Sequence, residues 1–302
     1  MGISVLNRNV EILVDCQNVV GESPLWCAEK QALYWVATLE RKIFCFFMDS
    51  GVVQHWDVPE IPGCIALGDN GDLIVAMESG IFEVSLSGHK SRISLLQKCP
   101  PSFNGMRFND GKCDRQGRFL AGSMKFPLSP EAAGVLYRLD HNKHLSPVIH
   151  GLITQNGLAW SPDGKKMYLS DSHPSRQVIW EYEYDIHQGL PHHRKLFVDM
   201  RQHGGRPDGA AVDIDGCYWC AANDGWQLLR FTPDGKVDQR IPLPFSKPSM
   251  CAFGGEAMDT LFITSIHPNR DRSRMAEQPF AGCLAAINPG TQGLKEAAYK
   301  AY

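Results

Sequence analysis

The sequence predicts an all-β chain folded as a six-bladed β-propeller, and three observations carry that expectation. Helical periodicity is scarce, whereas short apolar runs ended by Gly, Asp, Asn or Pro recur along the chain. A related unit returns at intervals of about fifty residues, the distance from Asn109 to Asn156 and again from Asn156 to Asp208. Six units of that size, with three or four strands in each, fill the 302 residues.

Taken in order, the first unit shows strands at residues 32–36 and 42–46, with a third at 52–56. The second runs through 64–67, turns at Asp69-Asn70-Gly71-Asp72 into 73–77, and continues at 80–84. In the third, residues 109–114 lead through the turn Arg115-Gln116-Gly117 into 118–124 and 135–139. The fourth joins 156–160 through Ser161-Pro162-Asp163-Gly164 to 166–171 and 178–182. The fifth is the plainest: Arg206-Pro207-Asp208-Gly209 opens a small-residue strand that closes at Asp215-Gly216, followed by 217–222, 227–231 and a turn at Pro233-Asp234-Gly235. The sixth comprises 248–253, 260–264 and 282–287. Residues 10–14 are expected to pair with this last unit and close the ring, which removes two exposed sheet edges. Residues 125–133 and 268–279 read as loops over one face. With no Gly-, Ser- or Pro-rich linker to divide the chain, residues 1–302 read as one propeller domain.

Composition narrows the function classes. With 43% hydrophobic residues, 21% charged and a formal net charge of -3, the chain has the make-up of a soluble globular protein. No basic run is present to neutralise a phosphate backbone, so nucleic acid is not expected as a partner. No uncharged apolar stretch reaches the roughly 18 residues of a membrane span, and residues 1–9 lack the apolar core of a secretory signal. Ten scattered cysteines without a disulfide framework read as reduced thiols, which places the protein in the cytoplasm. Cys217-Tyr218-Trp219-Cys220 has zinc-knuckle spacing, but residues three apart on a strand point to opposite faces and no second pair exists.

In a propeller the innermost strands run along a central channel, so residues at their beginnings gather at one mouth. Glu22, Asn109, Asn156 and Asp208 are read as standing there, each just before its strand at an equivalent position of the repeat. Two carboxylates and amide oxygens form a hard-oxygen set suited to Ca²⁺, Mg²⁺ or Mn²⁺, with Zn²⁺ less natural in the absence of His or Cys. The fold class therefore includes a metal site at one mouth of the channel. By contrast, Asp163, Asp215 and Asp234 lie in mid-hairpin turns, where turn chemistry accounts for them. The eleven histidines show no ligand spacing. No Gly-x-Ser-x-Gly elbow, His-Glu-x-x-His or phosphate-binding glycine loop occurs.

Four ordered stretches, Gly21-Glu22-Ser23-Pro24, Arg107-Phe108-Asn109-Asp110-Gly111-Lys112, residues 155–164 and Pro207-Asp208-Gly209, resemble the regucalcin (senescence marker protein) and gluconolactonase family. The likeness runs from about Gly21 to Ile266. It implies a six-bladed propeller and a metal-dependent lactonase whose partner is a small-molecule sugar lactone. Carried over by position, it implies Glu22, Asn156 and Asp208 as metal ligands, and Arg107 and Asn109 as substrate contacts. Lactone hydrolysis needs a polarised carbonyl and an activated water, both of which a divalent ion supplies. Asp208 is the candidate acceptor for the water's proton, and Arg107 can steady developing negative charge.

The sequence departs from the family in two places. Where many members carry Val-Asp-Ile, this chain has Trp35-Val36-Ala37-Thr38. After Gly122-Ser123-Met124, where an acidic residue is common soon afterwards, Lys125-Phe126-Pro127 follows. Lys125, with Arg107, is therefore expected to favour a lactone bearing a sulfonate, phosphate or carboxylate. Two alternatives stand beside the lactonase: a non-catalytic calcium-binding or interaction propeller, and a related propeller esterase.

Overall fold

Alternating apolar residues, β-branched side chains and Asp-Gly or Asn-Gly turns at short intervals leave the chain little option but antiparallel hairpins. In the computed structural model these hairpins form six sheets. The structure describes residues 9–268 and 276–302 together with the backbone of Ser4–Val5. The expectations for the extreme N-terminus, and for much of 268–279, fall outside the described residues.

Blade I consists of Gly21–Cys27, Ala32–Ala37, Lys42–Phe47 and Val53–Asp57, and blade II of Pro62–Leu67, Leu73–Met77, Gly80–Ser87 and Lys90–Lys98. Blade III follows with Met106–Cys113, Phe119–Lys125, Gly134–Leu139 and Leu145–Leu152, and blade IV with Gln155–Trp160, Lys166–Asp171, Val178–Asp185 and Leu190–Asp199. Blade V contains Arg206–Val212, Tyr218–Asn223, Gln227–Phe231 and Val237–Pro242, with Ser4–Val5 added in parallel on its outer edge. Blade VI is Pro248–Gly254, Thr260–Ser265 and Leu284–Ile287, completed by Glu11–Val14 from the other end of the chain. The N-terminal closure expected from residues 10–14 is thus present.

The first strand of each blade packs against the first strands of both neighbours, so the six inner strands form a closed ring. Burial follows the same symmetry, with a hydrophobic layer between every pair of adjacent blades. Trp219 and Phe253 share one between blades V and VI, Leu25 and Ile65 another between I and II, and Trp26 and Phe262 stack across the closure of VI on I. Burying such surfaces at roughly 25 cal/mol per Å² makes each interface, rather than any isolated blade, the stabilising unit.

The hairpin carboxylates read as turn residues serve the fold: Asp163 accepts the Lys165 amide at 3.0 Å within its turn, and Asp215 pairs with Arg230 at 2.8 Å. Asp213 is fully buried and accepts from the Cys217 amide, Trp219 Nε1 and Arg230 Nε at 3.0, 2.8 and 2.8 Å. At the same end of the channel the C-terminal segment crosses back over the ring: Gly293 bridges to Asp213, and Tyr299 to Gly68. Glu296 there reaches Lys112 at 3.0 Å and Arg115 at 3.7 Å. Each of the ten cysteines is free, eight of them buried. Among the described residues no helix is long and apolar enough to cross a membrane.

One expectation is corrected. Glu22, Asn109, Asn156 and Asp208 do not precede their strands; all four lie inside them, at a β-bulge near the strand's entry. The register shifts fall between Glu22 and Leu25, Phe108 and Gly111, Asn156 and Ala159, and Pro207 and Ala210. Glu22 and Asn156 are thus the last paired residues before the bulge, whereas Asn109 and Asp208 lie within it, one position further on. In an unbroken strand that offset would turn the two pairs to opposite faces; the extra residue re-aims them. Sequence spacing cannot reveal this, because nothing in the sequence marks which residue of a strand is the extra one that shifts its pairing.

Candidate active site

The inner strands of blades III, IV and V pack side by side, and that of blade I lies beyond blades II and VI. After Glu22 and Asn156 the backbone turns left-handed, at Ser23 (φ 53°) and Gly157 (φ 60°). Ser23 holds this conformation with its hydroxyl accepting from the Ile65 amide at 2.9 Å. At Gly157 a Cβ would stand 2.4 Å from Tyr218 Oη and 3.0 Å from the Asp208 carbonyl oxygen. Only glycine lets blade IV approach blade V so closely, and that approach sets Asn156 beside Asp208.

Asn109 links blades III and IV directly. Its Nδ2 donates to the Gln155 carbonyl at 2.7 Å and to Asn156 Oδ1 at 2.9 Å. Asn156 in turn donates from Nδ2 to Ser172 Oγ at 2.8 Å, which fixes its Oδ1 toward blade III. A carbonyl oxygen has two lone pairs, so Asn156 Oδ1 retains one for another partner.

Asp208 is 5% exposed. Asn223 Nδ2 donates to its Oδ2 at 2.7 Å, while Oδ1 is buried without a partner. Burial is the main cause that pushes its carboxyl up to about 7, with the Asn223 bond opposing. Glu22 is pushed well above the usual carboxylate range, first by burial and then by the negative charges of Asp208 and Asp110, against which Arg107 acts.

Asp110 is the residue that the sequence reading left unassigned. It is 4% exposed, its Oδ2 accepts the Leu158 amide at 3.0 Å, and its Oδ1 has no partner. Burial raises its pKa as well. Its signal in the sequence was present but masked, since Asn-Asp-Gly is also an ordinary turn.

Arg107 donates from Nη1 to the Phe108 carbonyl at 2.8 Å and lies over the Phe126 ring at 5.6 Å, while its buried Nε has no partner. Lys125, at the end of the neighbouring strand, pairs with Glu131 at 3.0 Å in the following loop. The structure thus brings Glu22, Asn109, Asn156, Asp208 and Arg107 together, and leaves Lys125 one residue outward, engaged with its own loop.

Among the described residues no three His, Cys, Asp or Glu side chains form a ready cage for an ion. The donor set here is instead two carboxylates and an amide oxygen. It fits a hard divalent cation: Asp208 Oδ1 is buried and unsatisfied, Asn156 Oδ1 has a spare lone pair, and the repulsion between Glu22 and Asp208 is what a cation would relieve.

Residues 20–267 match the family model described as SMP-30/Gluconolactonase/LRE-like region. This chain belongs to the SMP-30/gluconolactonase family. It is 38% identical to the 6-deoxy-6-sulfogluconolactonase of Pseudomonas putida, over 96% of this chain and 98% of that one. It is 30% identical to the L-arabinolactonase of Azospirillum brasilense, over 95% and 94% of the two chains. Among solved structures, a calcium-binding protein, regucalcin, from Agrobacterium tumefaciens superposes with a TM-score of 0.92 at 22% identity, over 99% of this chain and 100% of that one. Family members named as sugar lactonases thus match this chain almost end to end, and its fold is that of the solved regucalcin.

Proposed function

We propose that this protein is a metal-dependent lactonase that opens a sugar lactone to its acid, with Glu22, Asn156 and Asp208 as ligands of a divalent cation. The observation that carries this reading is the half-buried Glu22 set electrostatically against the buried Asp208, whose Oδ1 is unpartnered, together with Asn109 and Arg107. The near full-length likeness to named sugar lactonases supports it.

Glu22, Asn156 and Asp208 would hold a divalent ion (Ca²⁺, Mg²⁺, Mn²⁺ or Zn²⁺), which would supply polarisation of the lactone carbonyl and a lowered pKa of water. Asp208 accepts the proton of the attacking water. Arg107 and Asn109 orient the sugar, and Arg107 steadies negative charge on the carbonyl oxygen. Water adds to the acyl carbon, the ring C–O bond breaks, and the ring oxygen takes a proton to become a hydroxyl. Atoms balance as lactone plus water giving the hydroxy acid.

The lactone we favour carries an anionic substituent. The name of the Pseudomonas putida relative supports this reading, as does Lys125 one residue from the Phe126 ring that backs Arg107. The Lys125–Glu131 pair does not oppose it. Glu131 is 62% exposed, and exposed pairs contribute about 1 kcal/mol or less, so a ligand anion can displace it. The free thiols fit a reducing cytoplasm.

The test is a pH-stat panel of neutral and anionic sugar lactones with and without chelator. Proton release that stops on chelation and returns with a divalent ion is expected. No metal-dependent hydrolysis across the panel removes the reading and leaves the non-catalytic propeller or a propeller esterase in its place.

A further inference from the structure

Behind Asp208 runs a chain of side chains to which no role has yet been given. Asn223, 3% exposed, donates from Nδ2 to Asp208 Oδ2 at 2.7 Å and accepts on Oδ1 from Arg206 Nη2 at 3.1 Å. Arg206 is held in turn by Asp224, through Nε at 3.2 Å and Nη2 at 2.9 Å, and Asp224 is also paired with Lys247 at 3.3 Å. The first strand of blade V supplies Asp208 and Arg206, and its second strand supplies Asn223 opposite Arg206.

The chemistry of this chain allows only one arrangement. A guanidinium can only donate and an ionised carboxylate can only accept, so an amide between them has its oxygen toward Arg206 and its nitrogen toward Asp208. A primary amide alone in this place could flip; Arg206 prevents it. With Oδ2 occupied, Oδ1 is the oxygen of Asp208 left buried without a partner.

We propose that Asn223 is the positioning residue for Asp208, and that Arg206, its charge paired with Asp224, acts on the site chiefly through Asn223, by fixing which end of its amide faces the carboxylate. This rests on the ligand role given to Asp208 above. Partners of this kind behind a ligand are worth about ten- to a hundredfold in metal affinity or activity.

The experiment is a Mn²⁺ titration by calorimetry, alongside kcat and KM, for Asn223→Ala, Arg206→Ala, the double variant and Asn223→Leu, which keeps the volume and removes the donor. Asn223→Ala and Asn223→Leu are expected to weaken Mn²⁺ binding about tenfold and to lower kcat more than KM. Arg206→Ala gives a smaller loss of the same kind. The double variant should be little worse than Asn223→Ala, because Arg206 has lost the amide it orients and its charge is paired with Asp224. Arg206 is only partly buried, so its variant carries the test should a substitution at 223 fail to fold. Independent, multiplying losses overturn the assignment, as does unchanged Mn²⁺ affinity in Asn223→Ala. A wild-type protein that binds no divalent ion overturns the ligand reading and this assignment with it, and that outcome is distinguishable because it appears before any variant is made.

Discussion

Asn109 Nδ2 lies 2.9 Å from Asn156 Oδ1, so a residue assigned to the sugar on blade III and one assigned to the metal on blade IV share a hydrogen bond. The two roles are therefore coupled. Asn109→Ala is expected to lower divalent-ion affinity about tenfold as well as weaken substrate binding, since Asn156 loses the donor that orients it. Asn109→Asp, similar in shape but unable to donate when ionised, should show a similar defect. Titration of Mn²⁺ into both variants without substrate checks this; unchanged affinity would mean that Ser172 alone orients Asn156.

Asp208→Ala should reduce kcat about a thousandfold, combining the loss of a proton acceptor with that of a ligand. The β signal in circular dichroism should be unaltered, because Asp208 takes no part in the inter-blade layers. Activity retained in this variant, and lost in Asp110→Ala, would transfer the chemical role to the neighbouring acid.

The raised carboxyls of Glu22 and Asp208 make a stability prediction that needs no substrate. Unfolded, both release their protons near pH 4. Folded and metal-free, Asp208 holds its proton to about 7 and Glu22 is likewise raised. Between those limits the native state binds more protons than the unfolded chain, so stability is greatest at the acid end and falls as pH rises through neutrality. The Tm of the chelated protein should drop from pH 5.5 to pH 8. Saturating Mn²⁺ should raise Tm at pH 8 and flatten the slope, and Glu22→Gln should flatten it without metal. A chelated protein whose Tm is level or rises across this range would contradict the burial described for the pair.

Lys125→Ala should lower the preference for an anionic over a neutral aldonolactone by about tenfold in kcat/KM, the scale of one hydrogen bond to a charged group. Equal preference in wild type and variant would return Lys125 to the loop, where Glu131 already occupies it.

Much of this protein was legible before any fold was known. Glycine and aspartate at the turns, with apolar runs between them, set the strands. Their repeat of about fifty residues set the number of blades, and residues 10–14 announced the closure. Glu22, Asn109, Asn156 and Asp208 were each visible at the entry of a unit. These features are local or periodic, and a linear sequence displays local and periodic information directly.

What only the tertiary structure decided was how those entries meet. Four bulges, two with a left-handed residue at Ser23 and Gly157, turn side chains from two different repeat positions to one mouth. Asp110 joined them only when Leu158 of the next blade came within reach. Asn223 became the support of Asp208 through strand pairing, and Lys125 was found with Glu131 through the path of a loop. Each depends on which segments become neighbours once the ring closes, a consequence of packing six sheets at once that no single stretch of sequence contains.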